Sequence, residues 1–113
     1  MDAATLKNYR DIVRGVVAEY ASHKPSHGQI DTETVIDPSR DHYEVMHVGW
    51  DGDRRVHGTV LHIDILNGKI WIQFDGTAPG VALDLLEAGI PREAIVLGFH
   101  PRSVRSLTDF AIE

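Results

Sequence analysis

The sequence predicts an α+β fold with an N-terminal helix, a four-stranded antiparallel meander, and a C-terminal helix and tail. Three observations predict it. Apolar residues recur at three- and four-residue steps up to Tyr20, the period falls to two between Gln29 and Asp75, and a short helical pattern returns at Val81. At 113 residues the chain is expected to form a single domain, 1–113, around one core.

The first helix is expected over roughly residues 4–21. Leu6, Tyr9, Ile12, Val13, Val16, Val17 and Tyr20 form its apolar stripe, and Lys7, Arg10, Asp11, Arg14 and Glu19 lie elsewhere around it. Gly15 costs about 1 kcal/mol relative to Ala, a cost that close packing of another backbone would offset. Lys24-Pro25 ends the helix, because a residue before Pro avoids the α region.

Four strands are expected at about 30–37, 42–50, 55–66 and 69–75. Asn67-Gly68 between alternating apolar runs specifies a two-residue type I′ hairpin. Regular pairing from that turn puts Leu61, Ile63, Ile65, Ile70, Ile72 and Phe74 on one face, the core face. A turn at Asp51-Gly52-Asp53-Arg54 pairs Trp50 with Arg55, Val48 with His57 and Met46 with Thr59, which adds Met46, Val48 and Trp50 to that face. The opposite face then carries Tyr43, Val45, His47, Val56, Gly58, Val60, His62, Asp64, Trp71 and Gln73, and is too apolar for an ordinary wet surface.

Val81–Ala88 reads as a short helix closed by Gly89 and Pro91, and Pro91–Ile95 as one further turn. The tail from Arg102 to Glu113 is expected to end as an extended segment at Thr108–Ile112. No internal repeat or low-complexity stretch interrupts this order.

Composition narrows the function classes. The chain has no Cys, which removes disulfides, thiolate nucleophiles and cysteine-based metal centres. No apolar run approaches the ~20 residues of a spanning helix, and the N-terminus has no signal-peptide pattern, so a cytoplasmic protein without membrane contact is expected. Net charge is −6, and residues 25–53 hold seven Asp or Glu against one Arg. Such a field opposes phosphate binding, so contact with DNA is expected to be weak or indirect.

Several residue groups merit weighing as sites. His47, His62 and Asp64 share a face on the regular register, a set that could hold a metal or serve a small hydrolase as acid and base. Their spacing matches no metal motif, so hydrogen-bonded surface groups are favoured and neither cofactor nor metal-dependent activity is expected. Asp51 and Asp53, with Asp37 and Asp41 nearby, lack the oxygens of a calcium loop. Asp75–Gly80 joins a strand to a helix and could present N–H groups to an anion, but it is neither a P-loop nor a dinucleotide fingerprint. No GxSxG, HExxH or nuclease-type Glu-x-Lys element occurs, and no catalytic residues are assigned. Arg92, Arg102 and Arg105, beside Phe99 and His100, make a local basic run that could meet an acidic group, or could pack on aromatics and bridge carboxylates within the chain.

Seven segments carry a family resemblance: His23-Lys24-Pro25-Ser26-His27-Gly28, Asp41-His42-Tyr43, His47-Val48-Gly49-Trp50-Asp51, His62-Ile63-Asp64-Ile65, Gly68-Lys69-Ile70-Trp71-Ile72-Gln73, Val96-Leu97-Gly98-Phe99-His100-Pro101 and Thr108-Asp109-Phe110-Ala111. In this order and spacing they resemble the XisI-like proteins, the fdxN-element excision controlling factors found mainly in cyanobacteria. Arg102 stands where many members have a second Pro. The resemblance implies a non-catalytic controlling factor in programmed DNA excision, acting with a recombinase and an XisH-like companion that itself resembles restriction-type nucleases. Outside excision, it implies an antitoxin-like or regulatory partner of such a nuclease-fold protein. No catalytic residues carry over from the family.

The expected interaction surface comprises Tyr43, Val45, His47, Val60, His62 and Trp71 on the second sheet face, with Phe99, His100, Arg102 and Arg105 of the tail beside it. A second copy of the chain or the XisH-like partner is expected to cover it. On this reading Val60→Glu weakens assembly more than folding.

Overall fold

The structure, a computed structural model, describes residues 2–78 and 80–113. Helix α1 (Ala3–Ala21) begins where Asp2 accepts a 2.7 Å hydrogen bond from the Thr5 N–H, an N-cap that satisfies one orphan amide of the first turn. It buries Tyr9, Val13 and Val17 against the sheet. Gly15 meets no close backbone; a β-carbon there would have nothing within 4 Å, so the expected compensation is absent.

Strands β1 (Gln29–Asp37), β2 (His42–Asp51), β3 (Arg54–Leu66) and β4 (Lys69–Asp75) form the antiparallel meander. Asn67 and Gly68 take φ of 51° and 77°, as the hairpin signal requires. Helix α2 (Val81–Glu87) then crosses back, a single 3₁₀ turn (Arg92–Ala94) follows, and β5 (Ile95–Leu97) pairs with β4 in parallel. The sheet is therefore mixed and five-stranded, in the order β1-β2-β3-β4-β5. The fifth strand corrects the four-stranded expectation. Its three residues are too few to show a period, and its partner lies across a helix rather than a turn. A short helix α3 (Arg102–Arg105) leads into the tail, whose Ala111 bridges to Val96 in place of a longer extended segment. Among the described residues no helix is long and apolar enough to cross a membrane.

Two bulges decide which side chains face the helices. Val45 pairs with Leu61 but Met46 pairs with Thr59, leaving Val60 as the extra residue. Ile63 pairs with Ile72 but His62 pairs with Phe74, leaving Gln73 as the extra residue. Each insertion inverts the alternation beyond it. Tyr43 and Val45 consequently share the helix side with Leu61, Ile63, Ile65, Ile70 and Ile72, and all seven are buried with Val81, Leu85, Ile90 and Ile95. His47, Val56 and Gly58 also turn to that side, and Val60 packs against the core. Met46, Val48, Trp50 and Phe74, expected in the core, lie on the open face instead; Trp50 and Phe74 are about half exposed.

The second bulge also starts α2. It brings Asp75 opposite Leu61, where one carboxylate oxygen accepts from the Thr77 N–H at 2.9 Å and the other from the Val81 N–H at 2.8 Å. Those donors are thus occupied, and the segment 75–80 gains no support as an anion site; Pro79 lies outside the described residues.

At the β1–β2 turn Asp41, with φ of 49°, accepts bonds from Arg10 Nε and Nη2 at 2.8 and 2.9 Å and from the Tyr43 hydroxyl at 3.1 Å. This fork ties α1 to the turn. The Arg10 hydrogen bonds hold the Asp41 carboxyl below its ordinary 3.8, against the opposing effect of burial. A depressed folded-state value gives stability that is complete above the unfolded value and is lost as pH falls through the folded one. Asp41→Asn, which tolerates the same backbone conformation, is expected to lower Tm at pH 7 and to lose less stability than the parent below about pH 4. Thermal melts from pH 7 to 2.5 check this, and parallel curves would contradict it.

Candidate functional site

The open face of the sheet gathers polar residues of three strands. Along β2 and β3 it presents His42, Glu44, Thr59, His62 and Asp64, and β4 adds Trp71 and Gln73. His42 sits opposite Asp64, with its Nδ1 3.0 Å from Asp64 Oδ1 and its Nε2 3.0 Å from Glu44 Oε1. His62 Nε2 approaches the same Asp64 oxygen at 3.1 Å, and Gln73 Nε2 donates to the other at 3.2 Å. The Thr59 hydroxyl donates to Glu44. The two imidazole rings lie 4.4 Å apart at 51°. All four titratable side chains are half-buried, between 17% and 28% exposed. Burial pushes the Glu44 carboxyl up, but hydrogen bonds from Thr59 and His42 and the nearby His62 outweigh it and hold the group below its ordinary value.

This cluster corrects the expected one. His62 and Asp64 belong to it, while His47 does not, because the Val60 bulge turns His47 to the helix side. There it lines a shallow groove with Tyr20, His23, Val60 and Thr77. Its place is taken by His42, which a regular register leaves out of reach. The acidic residues Asp37, Asp41, Asp51 and Asp53 do not converge: Asp37 binds Ser39, Asp41 binds Arg10, and Asp51 lies 3.3 Å from Arg54.

The remaining expected surface residues divide. Tyr43 and Val45 are core, and Val60 packs on it, so Val60→Glu would place a charge against the core and report on folding rather than on assembly. Trp71 is partly covered by the tail, with the Arg105 guanidinium 5.2 Å above its ring. Phe99 stays 45% exposed with its ring 4.5 Å from that of His100. The basic run is used within the chain. Arg92 stacks on Phe110 at 5.5 Å, Arg102 pairs with Glu113 at 2.6 Å, and Arg105 covers Trp71. Apolar groups missed as surface are Val35, Trp50 and Phe74, each between 43% and 49% exposed, and Met46 and Val48, which share the open face of β2 with Trp50.

A cavity of about 640 Å³ lies on the other side of the sheet, between α1 and α2, lined by Ile12, Gly15, Val16, Tyr20 and Asp84 among others. Tyr20 donates a 2.5 Å hydrogen bond to Asp84 there, and burial raises its phenol further from ionisation. Asp11, Glu19 and His23 also line the cavity, but among the described residues none of the three hydrogen-bonds another side chain of the lining, whereas the groups on the open face bond one another.

Known proteins agree with this architecture. No curated protein sequence matches the chain. Among solved structures, a XisI-like protein from Anabaena variabilis ATCC 29413 is 37% identical, with a TM-score of 0.88 over 96% of this chain and 99% of that one. The fdxN element excision controlling factor XisI from Anabaena variabilis ATCC 29413 is 38% identical, with a TM-score of 0.83 and the same coverage. The model of the XisI protein family matches residues 1–112, the span that holds both bulges, the His–carboxylate cluster and the tail. On sequence and fold together, the chain belongs to the XisI family.

Proposed function

We propose that the chain is a non-catalytic controlling factor in programmed excision of a DNA element, acting through protein contacts with an XisH-like partner and a recombinase. The observation that carries this reading is the open sheet face. Met46, Val48 and Trp50 line β2 on this face, and Trp50, Val35 on β1 and Phe74 on β4 keep 43–49% of their surface in water, beyond the reach of the tail over Trp71. Exposed aromatic and aliphatic side chains spread over a sheet face suit a protein contact. The name of the Anabaena relative, an excision controlling factor, supplies the setting. DNA is reached indirectly, since the net charge is −6 and the tail arginines are engaged by Glu113 and aromatic rings.

The test is co-expression with an XisH-like companion, followed by mass measurement on size exclusion. The parent chain is expected to co-elute with the companion. Trp50→Glu with Phe74→Glu should abolish co-elution while thermal stability changes by no more than about 1 kcal/mol, because both side chains are half in water. Failure of the parent to form a complex removes the reading; retention of the complex by the double variant removes this face from it.

A further inference from the structure

We propose that His42, His62 and Asp64 bind one divalent first-row transition metal ion of the zinc class. The three side chains each offer a donor atom, and those atoms all lie within 4.8 Å of one another on the open face. Two of the separations, 3.0 and 3.1 Å, are close to the roughly 3.3 Å between donors around a tetrahedral ion with bonds of about 2.0–2.1 Å.

The surroundings are those a bound metal uses. His42 turns Nε2 to Glu44 and Nδ1 to Asp64. Carboxylate, imidazole and ion in line is the arrangement that fixes a ligand's tautomer and orientation. Glu44 is itself held by Thr59, and the second oxygen of Asp64 by Gln73. Glu44 and Asp64 are half-buried carboxylates that share His42 as a neighbour. Among the described residues, neither Glu44 nor Asp64 pairs with Lys or Arg. A dication placed between His42 Nδ1 and the Asp64 carboxylate has His62 Nε2 within reach as a third donor. Two imidazoles and one carboxylate favour zinc-class ions over magnesium or calcium, which prefer all-oxygen sites. Three protein donors leave a fourth position toward solvent, open to water or to a group brought by a partner.

The experiment is calorimetric titration of chelator-washed, untagged protein with Zn²⁺ alone, repeated with Mg²⁺. The parent should bind one Zn²⁺ per chain and no Mg²⁺ at the same concentrations. His62→Ala and Asp64→Asn should each weaken Zn²⁺ at least tenfold, and Glu44→Gln about tenfold through His42. His47→Ala, on the far side of the sheet, should leave binding unchanged. Thermal melts of the metal-free variants separate lost binding from lost folding. Absence of stoichiometric Zn²⁺ binding by the parent overturns the proposal. So does binding that survives both His62→Ala and Asp64→Asn, since the ion would then sit on other histidines.

Discussion

Ile72→Ala is expected to cost about 2–5 kcal/mol of stability and Phe74→Ala less than about 1 kcal/mol, although the two residues are neighbours on the same strand. Ile72 has no exposed surface and packs with Ile63 and Tyr43, so truncation leaves a cavity in the centre of the sheet. Phe74 lies beyond the bulge at Gln73, on the open face, with 47% of its surface in water. In an unbroken register both would be core, and the phenylalanine would be the dearer loss. Urea denaturation of the two variants reads the difference directly, and equal destabilisation would remove the bulge.

Gly49→Ala should be the next most damaging change, with a loss of about 1–3 kcal/mol or more, and selective loss of hydrogen-exchange protection in β1. A β-carbon at Gly49 would stand 2.1 Å from the Gln29 carbonyl oxygen and 2.7 Å from Ile30 Cα. Both are backbone atoms, so no rotamer relieves the overlap and β1 must move. Gly15→Ala is the contrast. Its β-carbon meets nothing within 4 Å and its backbone is helical, so the same substitution should stabilise the protein by up to about 1 kcal/mol. If Gly49→Ala melts with the parent, β1 does not lie where the register places it.

The motifs that carry the family resemblance acquire physical duties from these contacts. Gly49, within His47-Val48-Gly49-Trp50, admits the β1 backbone. Gly98, within Gly98-Phe99-His100-Pro101, lets the tail pass over β4, since a β-carbon there would meet Gln73 Oε1 at 2.6 Å and the Trp71 ring at 3.1 Å. In Asp41-His42-Tyr43 the three side chains go three ways: to Arg10 of α1, to the polar cluster, and into the core. His62-Ile63-Asp64-Ile65 alternates between the cluster and the core in the same manner.

Elements whose causes are local were legible in the amino-acid order. The 3.6-residue period that stops before Pro25 set α1, and Asn67-Gly68 set the hairpin that pairs Ile65 with Ile70 and Ile63 with Ile72. The Asp51–Arg54 turn likewise paired Trp50 with Arg55 and Met46 with Thr59. How those two locally correct registers join depends on long-range packing. A period of two carries no mark of where one residue is inserted, and Val60 and Gln73 are ordinary strand residues by composition. The single insertion at Val60 sends Tyr43 and Val45 inward, Met46, Val48 and Trp50 outward, and exchanges His47 for His42 beside His62 and Asp64. Strand β5 is hidden for a related reason: Ile95-Val96-Leu97 becomes a strand only because α2 returns it to the edge of β4. Local chemistry thus specified the strands and turns, while packing of α1 and α2 on one side of the sheet chose which face the histidines share.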